Sequence, residues 1–198
     1  MKKRIIDKAC ELFARSGFNS VTMDDIAGEL SISKKTLYKC YRTKELLVEH
    51  AAVELKDQFH KKIKNIMSQN YNAIEEHFEM RRVFRGILKI TEVLPMMELK
   101  KKYPEPYSSM ISNELEIYNV FMHKNLARGI QQGYYRSDVE AAHYIEFYYT
   151  IGLHILENMQ DPEETDRLAL SALIYHIQAA ATEKGREELQ FQLEKNSP

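Results

Sequence analysis

An all-α fold follows from three features of the sequence. Helix breakers are scarce, with 7 Gly and 5 Pro among 198 residues. Apolar residues recur at the three-to-four-residue spacing of one helix face rather than at the alternation of a strand. Cap residues (Ser, Thr or Asp), several with an acid three positions on, precede a number of these runs. The expected organisation is a three-helix N-terminal domain over residues 1–48, containing a helix-turn-helix, joined to a larger helical bundle over residues 49–198.

The first helix is expected over Lys2–Ser16, burying Ile5, Ile6, Ala9, Leu12 and Phe13, with Gly17 ending it as a left-handed C′ residue. Thr22 and Asp25 form a short capping box for a second helix over Met23–Leu30, and Val21 with Ile26 a hydrophobic staple. Ser33 repeats the device for a third helix over Lys34–Tyr41, stapled by Ile32 and Leu37. The three-to-four-residue turn left between them is the spacing of a helix-turn-helix.

Further helices are expected over Lys44–Met67, Asn72–Leu94, Met97–Tyr103 and Ser108–Gln132. An eighth runs to Met159 from a Ser137 cap with Glu140 at the box position. A ninth opens at Asp161-Pro162 and stops at Gly185, leaving the tail frayed or one further turn long.

Charge is distributed unevenly. Residues 1–50 hold ten Lys/Arg against seven Asp/Glu, a balance of +3, and the remainder holds 18 against 22, or −4. A helix start favours Asp or Glu in its first turn. Here one helix opens with Lys34 and Lys35, and the next with Lys44. Solvated surface lysines are the bland reading. Three of them beside two capped helix starts favour phosphate, because free N–H groups at a helix N-terminus already form an anion site.

The run Ile5-Ile6-x-x-Ala9-x-x-Leu12-Phe13-x-x-x-Gly17-Phe18, then Val21-Thr22-Met23-x-x-Ile26-Ala27, then Ser33-x-x-Thr36-Leu37-Tyr38-x-x-Tyr41, then Lys44-Glu45-x-Leu47 resembles the TetR-family DNA-binding domain. Two departures stand out. That family usually has Gly in the turn where this chain has Ser31, and usually ends the recognition helix in Phe where this chain has Cys40-Tyr41. The link Gly133-x-x-Arg136-x-Asp138 also resembles one that precedes the penultimate helix in the family.

The resemblance implies a helix-turn-helix DNA-binding domain on a C-terminal helical bundle that binds an effector and dimerises. It implies a cytoplasmic, non-enzymatic, ligand-responsive repressor acting as a homodimer on double-stranded operator DNA. Lys35, Thr36 and Lys39 are then the candidates for base edges. Thr22, Tyr41 and Lys44 face the DNA backbone, Ser33 and Lys34 lie at the anion-binding helix start, and Tyr38 is either a phosphate contact or a core aromatic. The resemblance places the dimer interface on the last two long helices, which are apolar on more than one side: Tyr144, Tyr148, Ile151, Gly152, Leu170, Leu173, Ile174 and Ile177. Phe84, Leu88, Tyr107, Met110, Tyr118, Met122 and Phe147 are either core or the wall of a cavity for a small apolar or aromatic effector.

Other chemistry is weakly supported. Glu140-x-x-His143 has the spacing of a di-iron ligand pair, but such a site needs a second copy, so a capping Glu beside an unrelated His is preferred. No P-loop, dinucleotide fingerprint or nucleophile elbow occurs, and no metal or cofactor is expected. Cys10 and Cys40 make no disulfide framework; Cys10 reads as core, while a redox role for Cys40 stays open. No 18-residue apolar run or signal-peptide core is present, so no membrane association is expected. Two alternatives remain: a regulator controlled by a protein partner or by nothing, and a helical enzyme or metal carrier built on the bundle.

Overall fold

The computed structural model describes residues 1–88, 95–159 and 161–196, without the side chains of 84, 86–88, 95, 96, 110–116 and 156. The described residues form α1 (Lys2–Ser20), α2 (Met23–Glu29), α3 (Lys34–Cys40), α4 (Lys44–Ser68), α5 (Ala73–Leu88), α6 (Pro95–Lys102), α7 (Pro104–Gln131), α8 (Ala141–Asn158), α9 (Pro162–Ala180) and α10 (Glu183–Lys195). They fall into two compact units, Met1–His60 with Ile87–Glu114, and Lys61–Gly86 with Leu115–Pro198.

In the first unit, α1 to α3 close around Ile5, Leu12, Phe13, Phe18, Ile26 and Leu37, all buried. Gly17 takes φ 81° and bends α1, so the helix resumes as far as Ser20 instead of ending. A Cβ at Gly17 would lie 2.6 Å from a carboxylate oxygen of Glu98, and that carboxylate accepts the Asn19 N–H at 3.0 Å. The α1–α6 contact that results adds Leu99, Tyr103 and Tyr107 to the core. The N-terminal core therefore reaches beyond the first 48 residues.

In the second unit, α8 and α9 pack together, with Tyr144, Ile145, Ile155, Leu173 and Ile177 buried. Three sequence expectations fail here. Ser137 does not cap α8; Glu140 does, accepting the Ala142 N–H at 3.4 Å. And α9 ends at Ala180, because the chain turns there to lay Ala181 against Tyr135 as an isolated antiparallel bridge. Thr182 then caps a full further helix, α10, where fraying or one further turn was expected. Gly185 lies inside α10 and terminates nothing; its backbone lies so close to the Tyr134 carbonyl that a Cβ would stand 2.1 Å from that oxygen.

Candidate nucleic-acid interface

The helix-turn-helix is built by local hydrogen bonds. Thr22 Oγ1 accepts the Asp25 N–H at 3.2 Å, and Asp25 in return accepts both the Thr22 N–H and its hydroxyl at 2.7 Å. These bonds hold the Asp25 carboxyl below its ordinary range. Ser33 Oγ accepts the Thr36 N–H at 3.1 Å and lies 2.9 Å from the Thr36 hydroxyl. A cap of this kind contributes about 1 kcal/mol.

Between the helices the Ser31 N–H reaches Gly28 O at 2.9 Å and the Ile32 N–H reaches Ala27 O at 3.0 Å. That pair is a Schellman motif with Ser31 at C′. Ser31 has φ 53°, the one non-glycine with positive φ among the described residues. The turn thus keeps its left-handed geometry without the usual glycine.

Leu37 anchors α3 in the core, and the helix turns Lys34, Lys35, Tyr38 and Lys39 outward. Tyr38 is 45% exposed, which places it outside the core. Thr36 is half-buried. Lys34 bonds Asp24 of α2 at 2.7 Å, and this contact raises its pKa. Lys44 is half-buried and donates to Asn19 O at 3.2 Å; burial first, then the charge of Lys102, lowers its pKa. Thr22 and Ser33 are exposed, but their side chains serve as caps. Tyr41 corrects an expectation. It is 1% exposed, edge-on to His50, and belongs to the core rather than to a DNA-facing surface. Asp24 was missed by sequence reasoning, since it reads there simply as a first-turn acid of α2.

The other candidate residues are spread out. Tyr107 packs in the core of the first unit. Met122 is buried, and half-buried Tyr118 tilts against Tyr149 at 5.2 Å, both in the second unit. Phe147 is 65% exposed and stacks on His143, so it is no wall of an internal cavity. Phe84, Leu88 and Met110 lie outside the described side chains.

Of the interface candidates, Tyr144, Leu173 and Ile177 are interior to the protomer. Tyr148, Gly152, Leu170 and Ile174 are half-buried, and Ile151 is exposed. Among the described residues the exposed large apolar side chains of α8 and α9 are Ile151, one of the candidates, and Phe147, Leu168 and Tyr175. Glu140 is occupied as a cap, and the described residues contain no cluster of three potential metal ligands. No described helix is long and apolar enough to cross a membrane.

A capped, stapled pair of helices whose second member shows a basic outer face defines a helix-turn-helix DNA-binding protein. Residues 5–51 match the bacterial regulatory proteins of the tetR family. Over those residues the chain is similar to the DNA-binding domain of that family. It is 29% identical over 129 residues, 65% of this chain and 68% of the relative, to IcaR of Staphylococcus aureus strain Newman, the HTH-type negative transcriptional regulator of the biofilm operon icaADBC. Identity to the Staphylococcus epidermidis IcaR is 27% over the same shares. Among solved structures, a transcriptional regulator from Cytophaga hutchinsonii superposes with TM-score 0.71 at 17% identity, over 91% of this chain and 98% of that one. The Bacillus subtilis regulator FadR, solved with stearoyl-CoA, gives TM-score 0.60 at 16% identity, over 89% and 98%.

Proposed function

We propose that this protein is a cytoplasmic repressor, without enzymatic activity, that binds operator DNA as a homodimer and releases it in response to an effector. The observation that carries the reading is the outer face of α3, where Lys35 and Lys39 form no ion pair among the described residues. Phosphate contacts position a reader and base contacts specify the sequence. Lys35, Thr36 and Lys39 are assigned to base edges, and Thr22, Ser33, Lys34, Tyr38 and Lys44 to the backbone. The naming of the IcaR relatives as negative regulators supports repression. Residues 1–48 carry the DNA-reading function and residues 49–198 the effector and dimer functions.

Dimerisation is supported by the outward face of α8 and α9. Phe147, Ile151 and Tyr175 are 65%, 47% and 71% exposed, large apolar side chains on two packed helices that a two-fold partner would cover. Gly152 faces open space, since a Cβ there would meet nothing within 4 Å. Such a dimer sets two α3 helices about 34 Å or more apart, on successive turns of the major groove. For the switch, α4 is the lever, one continuous helix from Lys44 to Ser68. An effector must bind the two conformations with different affinity, typically by 1–3 kcal/mol. Tyr118 and Met122 remain the wall candidates for an apolar or aromatic effector.

The test is selection of operator sequences from random duplex DNA with the full chain. Parent protein should enrich a palindromic site. Lys35→Ala and Lys39→Ala should each relax preference at one position per half-site, by about 1–3 kcal/mol. No enrichment over random DNA at physiological salt would overturn the reading. A thermal-shift screen of aromatic and lipophilic compounds, with operator binding for each hit, tests the effector.

A further inference from the structure

We propose that the second unit holds a binding site for a small, multiply charged oxyanion, in a cleft between α4, α5 and α7. The cleft has a volume of about 270 Å3. Lys64 and Met67 line it from α4, Glu76 from α5, and Phe121, Lys124 and Arg128 from α7. It contains neither Tyr118 nor Met122, the wall candidates for an apolar effector.

Charge pairing singles out the place. In residues 61–86 and 115–198, arginines 81, 82, 85, 128, 136, 167 and 186 and Lys195 all meet a carboxylate. Lys184 donates to Gln132 O at 2.7 Å. The basic residues of this unit without such a contact among the described residues are Lys61, Lys62, Lys64 and Lys124. Two of these four line one cleft, and the other two precede Lys64 on the same helix. In a unit whose 13 Lys/Arg face 16 Asp/Glu, a balance of −3, unpaired cations gathered at one concavity focus a positive potential there.

The one acid in the cleft does not neutralise them. Glu76 is 2% exposed, and its carboxylate is taken by Arg128 and by Asn125 Nδ2, the latter at 2.7 Å. Glu76 and Arg128 cancel, leaving the two ammonium charges of Lys64 and Lys124. Arg128 also keeps an unused donor, because its Nε is buried without a hydrogen-bond partner. Two ammonium groups, Lys64 and Lys124, over a carbon wall of Phe121 and Met67 suit a compact molecule with two or more phosphate or carboxylate charges. A cleft of that volume, open to solvent, admits a phosphorylated or polycarboxylic metabolite of modest size.

The experiment uses full-length protein without DNA, so its outcome is separate from that of the DNA-binding reading. Inorganic phosphate, pyrophosphate and citrate are titrated by calorimetry and thermal shift at constant ionic strength, with chloride as the control. Pyrophosphate or citrate should bind saturably and raise Tm by about 2–4 °C, and their relative strength distinguishes a phosphate site from a carboxylate one. Lys64→Gln with Lys124→Gln should lose at least about tenfold in affinity while keeping the parent's ligand-free Tm, as both lysines are exposed and unpaired. Lys61→Gln with Lys62→Gln, outside the cleft wall, should keep most of the affinity. Absence of saturable binding, or equal loss in both double variants, overturns the site.

Discussion

The Lys34 ammonium lies 2.7 Å from the Asp24 carboxylate, so the first lysine of the recognition helix is tied to the first turn of the helix before it. A phosphate approaching α3 must compete with Asp24 for that ammonium. Asp24→Asn should therefore strengthen binding to all duplexes alike, by roughly three- to tenfold, and steepen the salt dependence by about one counterion. Fluorescence anisotropy with operator and random DNA across a salt series measures both. An unchanged slope would place Lys34 away from the phosphates.

Ser31 carries a left-handed φ that costs an L-residue about 1–2 kcal/mol. Glycine removes that cost and gives back part of it through a more flexible unfolded chain. Ser31→Gly should stabilise the protein by about 0.5–1 kcal/mol, a Tm rise of about 2–3 °C. A fall in Tm would mean that the Ser31 side chain contributes something its backbone does not reveal.

The outward apolar face makes a different demand. Phe147→Glu with Tyr175→Glu replaces two exposed rings, so a lone protomer should fold as before. Sedimentation at micromolar concentration should give a dimer for the parent and a monomer for the variant, with operator affinity falling at least about a hundredfold. A monomeric parent refutes this interface.

Acid should unfold the second unit through its buried imidazoles. His176 stacks on Tyr144 at 3.6 Å and on Tyr148 at 4.2 Å, with His77 edge-on at 5.8 Å. Burial lowers His77 to about 4, Asn125 partly offsetting it, and lowers His176 to about 2, with His77 adding to the effect. Both are held neutral when folded and take up protons only once unfolded, below the ordinary 6.5. Stability is therefore complete above pH 6.5 and falls as the pH drops. The His77 contribution alone is on the order of 3 kcal/mol by pH 4. Urea unfolding at pH 7.5, 6 and 5 should show the decline. His176→Phe, which keeps a stacked ring, should flatten it.

Features encoded within a few residues were legible in the sequence. Thr22, Ser33 and Asp161 cap the helices they were expected to cap, and Gly17 takes its positive φ. These depend on neighbours three or four positions away, which the sequence displays. Tyr41, Leu173 and Ile177 were misplaced for a different reason. Periodicity marks an apolar residue but not which of two apolar surfaces it joins, and here all three turn into their own protomer. The α9–α10 corner was hidden because Gly185 resembles a helix stop, while its real constraint is the carbonyl of Tyr134, a residue remote in sequence that folding brings beside it. The cleft was invisible for the same reason: Lys64, Glu76 and Arg128 meet only in three dimensions.

The position of α10 also bears on the order in which the protein can fold during synthesis. Asn72 Nδ2 bonds Glu188 at 2.9 Å, Lys195 pairs with Glu75 at 3.1 Å, and the Thr182 N–H reaches Tyr134 O at 3.0 Å. Each contact joins a residue of the last helix or its cap to a segment translated far earlier, up to 120 positions in the case of Lys195. At about 5–20 residues per second, the start of α5 waits several seconds or more for these partners. The first unit needs only Glu98, Leu99, Tyr103 and Tyr107 to complete its core. The first unit can therefore form while the ribosome is still working, and the second unit closes only as α10 emerges.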